Sequence, residues 1–265
     1  MNYPIYQVDA FTQTLFCGNP AAVMPLDSWL PDATLQSIAA ENNLAETAYF
    51  VPVEGDDADN DFHLRWFTPG KEMDLCGHAT LASAYVIFTQ LGWKQDRIRF
   101  ASQSGTLVVT RSDKGLTMDF PSRPPVEAEL PQGILNSLNI QAVQYAGHAR
   151  DWLIEVESEA AVKAVVADFS ELAKHTKRAV IVTAKGDTVD FVSRFFAPEY
   201  GVDEDPVTGS AHCTSVPYWA AKLDKTAMQA RQISARGGEL FCELKGDRVF
   251  MSGECVLYLQ GEITL

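Results

Sequence analysis

One feature of the sequence occurs twice: a glycine opens a long segment that carries no charge. Between His78 and Trp93 there is no Asp, Glu, Lys or Arg, and the segment from Gly209 to Ala221 also lacks them. A helix that is apolar on all sides must be surrounded by protein on all sides. Each segment therefore predicts a helix enclosed by a sheet rather than laid on one face of it.

The sequences on either side of these segments are repeated as well. The motif RWFTP at 65–69 precedes the first segment, and RFFAP at 194–198 precedes the second. The motif SGTLV at 104–108 follows the first segment, and GGELF at 237–241 follows the second. These matches, separated by about half the chain, indicate an internal duplication. We expect the two copies to pack about a pseudo-twofold axis, with the glycine-opened helix starts facing each other across a cleft.

The duplication predicts an α+β protein with two pseudo-twofold-related halves. Each half is expected to be a mostly antiparallel sheet, or partly closed barrel, rolled around a central helix. The predicted N-terminal repeat domain covers 1–118 plus 254–265, the C-terminal repeat domain covers 119–253, and the active-site cleft lies between them. Smaller elements predicted from the pattern include a charged loop over 54–61 and a helical stretch over 160–172.

Charge and cysteine content exclude several classes of function. The net charge of −14 argues against binding to nucleic acid or to an anionic membrane surface. No apolar run is long enough to predict a membrane-spanning helix, and the first residues lack the pattern of a signal peptide. The five cysteines include no CxxC pair and their number is odd, which favours a reducing, cytoplasmic compartment.

Both glycine-opened turns are suited to binding an anion. Cys76-Gly77-His78 and Thr208-Gly209-Ser210 place a residue without a Cβ where the chain enters each helix. The free N–H groups of the first turn and the helix dipole together favour negative charge at these positions. The alternative is that each glycine only permits a tight turn and that His78 packs in the core.

Glu46 is a carboxylate in surroundings that suit proton transfer. It begins a predicted strand in the apolar segment LAETAYFV at 44–51. A carboxyl group that moves protons near neutral pH is commonly found in such surroundings. The alternative is an ordinary solvated glutamate at the start of a strand.

Four sequence blocks resemble the signature blocks of the phenazine-biosynthesis PhzF-like family. They are GNPAAV at 18–23, LAETAYFV at 44–51, CGHATLA at 76–82 and DEDPVTGSA at 203–211. The family shares its fold with diaminopimelate epimerase, in which two similar halves each roll a sheet around a central helix. The resemblance therefore implies the same fold for this chain.

The resemblance also implies a function. It implies a cofactor-independent isomerase that moves a proton between carbons of a small carboxylate-bearing substrate, with no metal and no organic cofactor. The implied catalytic residues are Glu46 as general acid/base, His78 and Asp205. The implied substrate-binding residues are Gly77, Gly209, Ser210 and Asn19. A homodimer is implied as well, and the motifs specify no particular substrate.

The residues leave three other functions to weigh. A two-thiol epimerase needs paired cysteines at the two helix starts, but the position that mirrors Cys76 is Thr208. We therefore rank two-base epimerisation of amino-acid-like substrates below isomerisation, and interpret Cys76 as structural. A non-catalytic protein that binds small acids is a further alternative. A metal-dependent hydrolase built on Cys76 and His78 has little support, because no other ligand spacing accompanies them.

Overall fold

A computed structural model describes residues 1–53, 55 and 59–265. Residues 54 and 56–58, which belong to the charged loop predicted over 54–61, lie outside the described residues. The chain divides into two compact units. The first unit contains Met1–Asp119 and Ser252–Leu265, and the second contains Phe120–Met251.

Short strands make up most of the regular structure. In chain order they are β1 Asn2–Ala10, β2 Asn19–Pro25, β3 Glu46–Pro52, β4 Phe62–Phe67, β5 Glu72–Met73, β6 Arg97–Ser102, β7 Gly105–Ser112, β8 Gly115–Pro121, β9 Val126–Glu127, β10 Tyr145–His148, β11 Trp152–Glu155, β12 Val180–Lys185, β13 Phe191–Ala197, β14 Val202–Asp205, β15 Ala227–Gln232, β16 Gly238–Lys245, β17 Arg248–Gly253 and β18 Cys255–Thr264. The α-helices are α1 Asp32–Asn42, α2 Gly77–Thr89, α3 Gln132–Leu138, α4 Glu159–Ala164, α5 Phe169–His175 and α6 Gly209–Leu223.

The first unit is a mixed sheet in which antiparallel pairs predominate. β1 pairs antiparallel with β2, β2 pairs parallel with β3, and β3 pairs antiparallel with β4. β4 then pairs antiparallel with β5 and parallel with β6, which continues into the antiparallel pairs β6–β7 and β7–β8. The late strand β18 returns to this unit and runs antiparallel along the whole of β1.

The second unit repeats the same order of pairings. β10 and β11 are antiparallel, β11 and β12 are parallel, and β12 and β13 are antiparallel. β13 pairs antiparallel with β14 and parallel with β15, and β15 pairs antiparallel with β16. Strand by strand, this is the arrangement of the first unit, as expected of a duplicated chain.

A buried helix belongs to each unit. Ten of the 13 residues of α2 are buried, and α2 packs against β1, β2, β3 and β18. Ten of the 15 residues of α6 are buried, and α6 packs against β15 and β16. The uncharged segments thus form enclosed helices, because they have no face that gains from contact with water. Within residues 1–53, 55 and 59–265, every helix is too short or too polar to span a bilayer.

The helical stretch predicted over 160–172 is interrupted in the structure, because the chain forms two short helices there. Ser158 caps α4 by accepting the N–H of Ala161, and the helix ends where Val165 adopts an extended conformation. Asp168 caps α5 by accepting the N–H of Glu171. Two caps ten residues apart divide the segment, since a capping side chain satisfies the free N–H groups of a helix start. Both helices cover the core of the second unit.

Candidate active site

The start of α2 has the backbone geometry that the sequence predicted. Cys76 is the N-cap residue, with φ −143° and ψ 112°, and Gly77 is the first helical residue. The backbone hydrogen bond from the N–H of Thr80 to the carbonyl of Cys76, 3.2 Å long, closes the first turn. The amides before Thr80 have no acceptor within the helix, so this end can bind an anion.

Glu46 and His78 meet beside this helix start. Glu46 is the first residue of β3, and His78 is the second residue of α2. Their Oε2 and Nε2 atoms lie 3.1 Å apart. The side chain of Glu46 is 14% exposed and that of His78 is 6% exposed. The carboxyl group therefore combines a buried histidine partner with partial access to solvent.

Asn19 holds the other side of the histidine ring. This residue begins β2, is fully buried, and places Nδ2 3.1 Å from Nδ1 of His78. The parallel pairing of β2 with β3 brings Ala21 opposite Glu46. Asn19 lies two residues before Ala21, so Asn19 and Glu46 both contact His78. The first unit thus brings together four of the predicted site residues, Asn19, Glu46, Gly77 and His78.

Cys76 also contacts His78. Its Sγ lies 3.5 Å from Nδ1 of the ring, and the thiol is buried. Burial, reinforced by the negative charge of Glu46, raises the pKa of Cys76 to about 11. The thiol is therefore protonated at neutral pH and is not an activated nucleophile.

The environment of His78 favours its charged form. Burial works against the charged ring, but the neighbouring Cys76 and Glu46 outweigh it and raise the pKa of His78. We attribute the direction to Glu46, because the protonated thiol carries no charge at neutral pH. The carboxylate of Glu46 thus supports the positive charge of the imidazole at the start of α2.

The start of α6 has a hydrogen-bonded network of different chemistry. Thr208 is its N-cap residue, and Gly209 is the first helical residue. The hydroxyl of Thr208 donates to Oδ2 of Asp205 over 2.5 Å. Gln232 is fully buried at the end of β15 and accepts the N–H of Thr208 over 2.9 Å. The Nε2 group of Gln232 lies 2.6 Å from the carbonyl of Asp205 and 3.1 Å from the hydroxyl of Thr208.

The predicted residues of the second unit share this one turn. Asp205 precedes it, Gly209 is buried within it, and Ser210 is partly exposed at its end. His212 is fully buried one turn into the helix, and its Nδ1 donates to the carbonyl of Thr208 over 2.8 Å. Burial lowers the pKa of His212 to about 4, so its ring is neutral.

Three residues in these two sites were not predicted to take part. Cys76 was interpreted as structural, yet its thiol contacts the catalytic candidate His78. Thr208 could have been proposed from its position before Gly209, because that is where an N-cap residue lies. Gln232 has no local signal in the sequence, since it reaches Thr208 only through the pairing of distant strands.

Comparisons with known proteins identify the family of the chain. The family described as phenazine biosynthesis-like protein matches residues 8–261 of the chain. A relative from Pseudomonas aeruginosa, named an uncharacterized isomerase, is 49% identical over 265 residues, with 100% of each chain covered. The crystal structure of a PhzF-family protein from Enterococcus faecalis superposes with a TM-score of 0.94 at 44% identity, covering 100% of both chains.

A more distant structure resembles the chain in fold alone. A hydroxyproline epimerase from Agrobacterium vitis superposes with a TM-score of 0.57 at 10% identity, covering 99% of this chain and 92% of that chain. The α+β fold class and the family resemblance predicted from the motifs are confirmed. With 49% identity over its full length to one relative and a family match over residues 8–261, the chain belongs to the phenazine biosynthesis-like, or PhzF, family.

Proposed function

We propose that this protein is an isomerase that moves a proton between two carbons of a small carboxylate-bearing substrate. The observation that carries the proposal is the contact of Glu46 with His78 at the start of α2, 3.1 Å between Oε2 and Nε2. It places a group able to move protons next to amides able to hold an anion. The isomerase name of the Pseudomonas aeruginosa relative supports the same class of reaction.

The amides of the first turn of α2 would bind the substrate carboxylate. When a proton leaves the carbon next to a carboxylate, negative charge spreads onto the carboxylate oxygens. Preorganised N–H donors and the positive end of a helix dipole stabilise that charge more in the transition state than in the ground state. Such stabilisation is what an isomerase of this kind needs, because the C–H group is a weak acid.

Glu46 would act as the general acid/base. Its carboxylate takes the proton from one carbon, and the resulting carboxylic acid returns it to another carbon, so the enzyme ends each cycle unchanged. Partial exposure of the side chain lets a substrate reach it. His78, held by Asn19 over 3.1 Å, would orient the carboxyl group.

The turn before α6 would supply the remaining polar groups. Asp205 is fixed by the hydroxyl of Thr208, and Ser210 offers a partly exposed hydroxyl beside free amides. That both helix starts act on one substrate stays a prediction from the duplication, as does the homodimer.

Two-base epimerisation is the second candidate, because one observation favours it. The protonated thiol of Cys76 lies 3.5 Å from His78 and offers a second acid in the same unit. An epimerase needs two acid–base groups acting on opposite faces of one carbon. The product therefore separates the candidates, since isomerisation relocates a double bond and epimerisation inverts one centre.

Hydrogen exchange tests the proposal on a panel of candidate acids. Small cyclic and amino-acid carboxylates are incubated with the protein in D2O, and incorporation of deuterium at carbon is followed by NMR. We expect the wild-type protein to label at least one compound, and Glu46→Gln to label it about 10²- to 10⁴-fold more slowly.

Glu41→Gln serves as the matched control, because Glu41 is an exposed residue of α1. This variant should label at the wild-type rate. Equal labelling by the wild-type protein and Glu46→Gln would refute the role of Glu46. Binding of a compound without any labelling would instead support a non-catalytic binding protein.

A further inference from the structure

A buried glutamine on β15 is bonded to the turn that carries Asp205. Gln232 is fully buried, and its side-chain amide binds three polar groups of Thr208 and Asp205. Oε1 accepts the N–H of Thr208, and Nε2 donates to the carbonyl of Asp205 and to the hydroxyl of Thr208. All three residues belong to the second unit. The amide thus spans the turn from Asp205 to the N-cap residue of α6.

These contacts fix the orientation of the amide. A backbone N–H can only donate, so the atom that meets the N–H of Thr208 over 2.9 Å is the oxygen. A carbonyl can only accept, so the atom 2.6 Å from the carbonyl of Asp205 is the nitrogen. Turning the amide over would set donor against donor and acceptor against acceptor. The side chain of Gln232 therefore has one favourable orientation in this turn.

The orientation of Gln232 also directs the hydroxyl of Thr208. Nε2 donates to the oxygen of this hydroxyl over 3.1 Å, and the hydroxyl donates to Oδ2 of Asp205 over 2.5 Å. A hydroxyl that accepts on one side turns its single hydrogen to another side, where the carboxyl group lies. Successive hydrogen bonds of this kind polarise and strengthen one another. Gln232 thereby acts on the carboxyl group of Asp205 through Thr208.

The first unit has different residues at the equivalent positions. By the alignment of the motifs RWFTP and RFFAP, Met73 on β5 is equivalent to Asp205 on β14. The parallel pairs β4–β6 and β13–β15 make Ser102 the equivalent of Gln232. The first unit thus forms the same strand order with neither a carboxyl group nor an amide at these positions. The fold of a unit does not require this glutamine, which points to a role in the site.

We infer that Gln232 is a positioning residue for Asp205, a role that rests on the proposed function, in which Asp205 is catalytic. Gln232 fixes the hydroxyl of Thr208, and that hydroxyl holds the carboxyl group before the start of α6. A carboxyl group that loses this support leaves its productive position. A displacement of about 1 Å is enough to slow catalysis about 100-fold.

Crystal structures of the wild-type protein and its variants test this role without a substrate. Gln232→Met replaces the amide by an apolar side chain of similar length, and Thr208→Val replaces the hydroxyl by a methyl group. In both variants we expect the carboxyl group of Asp205 to move by roughly 1 Å or more. Gln229→Met, on the same strand, is the matched control and should leave Asp205 in place. An Asp205 side chain that keeps its wild-type position in Gln232→Met would overturn the role.

Kinetics with a substrate found by deuterium labelling test the role a second way. We expect kcat to fall about 10- to 100-fold in Gln232→Met and in Thr208→Val, with KM changed by less than about threefold. Thr208→Ser restores a hydroxyl and should keep at least about a third of the wild-type kcat. Gln229→Met should match the wild-type protein in both constants.

The double variant Gln232→Met/Thr208→Val shows whether the two residues act in one chain of hydrogen bonds. It should be no slower than Thr208→Val alone, because the second change breaks a chain that is already broken. Losses that multiply in the double variant would mean that Gln232 does not act through Thr208.

Circular dichroism shows which variants fold. If Gln232→Met does not, the pair Thr208→Val and Thr208→Ser decides, and an unmoved Asp205 in Thr208→Val rejects the role. A wild-type protein that labels no compound would contradict the proposed isomerase. The crystal structures would still show whether Gln232 holds Asp205, so the two failures are distinguishable.

Discussion

The starts of α2 and α6 share a backbone plan but differ in chemistry. Both helices begin with glycine after an extended N-cap residue. The first start is lined by groups that gain or lose protons, namely Glu46, Cys76 and His78. The second is lined by hydrogen-bonding groups centred on Thr208 and Gln232. After duplication, the two copies have therefore kept the backbone geometry of the helix start and diverged in the side chains around it.

The strand register shows which positions diverged. Thr47 pairs with Phe67 in the first unit, and Val180 pairs with Phe196 in the second. Because the motifs at 65–69 and 194–198 correspond, the residue equivalent to Glu46 is Ala179. Because Gly77 and Gly209 each open a helix, Ser210 is the equivalent of His78. At these two positions the second unit thus has neither a carboxylate nor an imidazole.

A structural ion pair nearby has been preserved in both copies. Arg65 binds Glu72 with two contacts of 2.7 and 2.8 Å, and Arg194 binds Glu204 with the same two distances. The paired acids lie opposite Phe67 and Phe196, at equivalent positions of β5 and β14. In each unit, an arginine that makes two contacts to a glutamate fixes the strand before the helix. The residues that follow this strand differ between the two units.

The largest expected effect concerns the hydrogen bonds at the start of α6, and it follows from replacing Gln232. Gln232→Leu removes three hydrogen bonds from a fully buried position and leaves the N–H of Thr208 without its acceptor. We expect a loss of about 3 kcal/mol in the free energy of unfolding, measured by chemical denaturation. Gln229→Leu, on the same strand, should change it by less than about 0.5 kcal/mol. Similar losses in both variants would show that the network is unimportant.

An effect no larger than this is expected in the pH dependence of stability at His212. Its pKa of about 4 in the folded protein lies below the value of about 6.5 for an unfolded chain. The unfolded chain therefore takes up the proton first. Stability from neutral His212 is complete above about pH 6.5 and is lost as the pH falls towards 4, by up to about 3 kcal/mol.

The variant His212→Asn isolates this contribution. The free energy of unfolding of the wild-type protein and of the variant is measured by denaturation between pH 7 and 4. The difference between the two values should become smaller as the pH falls. A difference that stays constant over this range would mean that His212 does not titrate as described. His78 makes the opposite contribution, because its pKa is raised in the folded protein.

The smallest effect is expected at Ser210, the counterpart of His78. Ser210→Ala removes one partly exposed hydroxyl and leaves the helix amides in place. Once a substrate is found by deuterium labelling, kcat/KM should fall by roughly 2- to 10-fold, the value of one hydrogen bond. Ser215→Ala, further along α6, is the control and should retain full activity. A loss beyond 100-fold at Ser210 would mean that it transfers protons.

The sequence predicted those parts of the fold that depend on local patterns. The missing charges after Gly77 and Gly209 were sufficient to predict two enclosed helices, because burial of a charged side chain there would be too costly. The contact of Glu46 with His78 was anticipated only in the sense that both residues were assigned to one site. The geometry itself depends on the pairing of β2 with β3.

Other features could not be read from neighbouring residues. Gln232 is 24 positions from Thr208, and nothing near it distinguishes it from an ordinary strand glutamine. The break between α4 and α5 depends on Asp168, whose N–H donates to the carbonyl of Ser137 over 2.7 Å. The hydrophobic periodicity of the sequence does not reveal such a break. It shows which face of a helix is apolar, but not where a backbone N–H forms a hydrogen bond outside the helix.

The return of β18 to the first unit has a consequence for protein synthesis. Residues 255–264 lie along β1, yet they leave the ribosome only after the entire second unit. During translation, one edge of β1 in the sheet that carries Glu46 stays unpaired until β18 is synthesised. All residues of the second unit have been synthesised before then. A premature stop near the end of the message would therefore damage the unit encoded first.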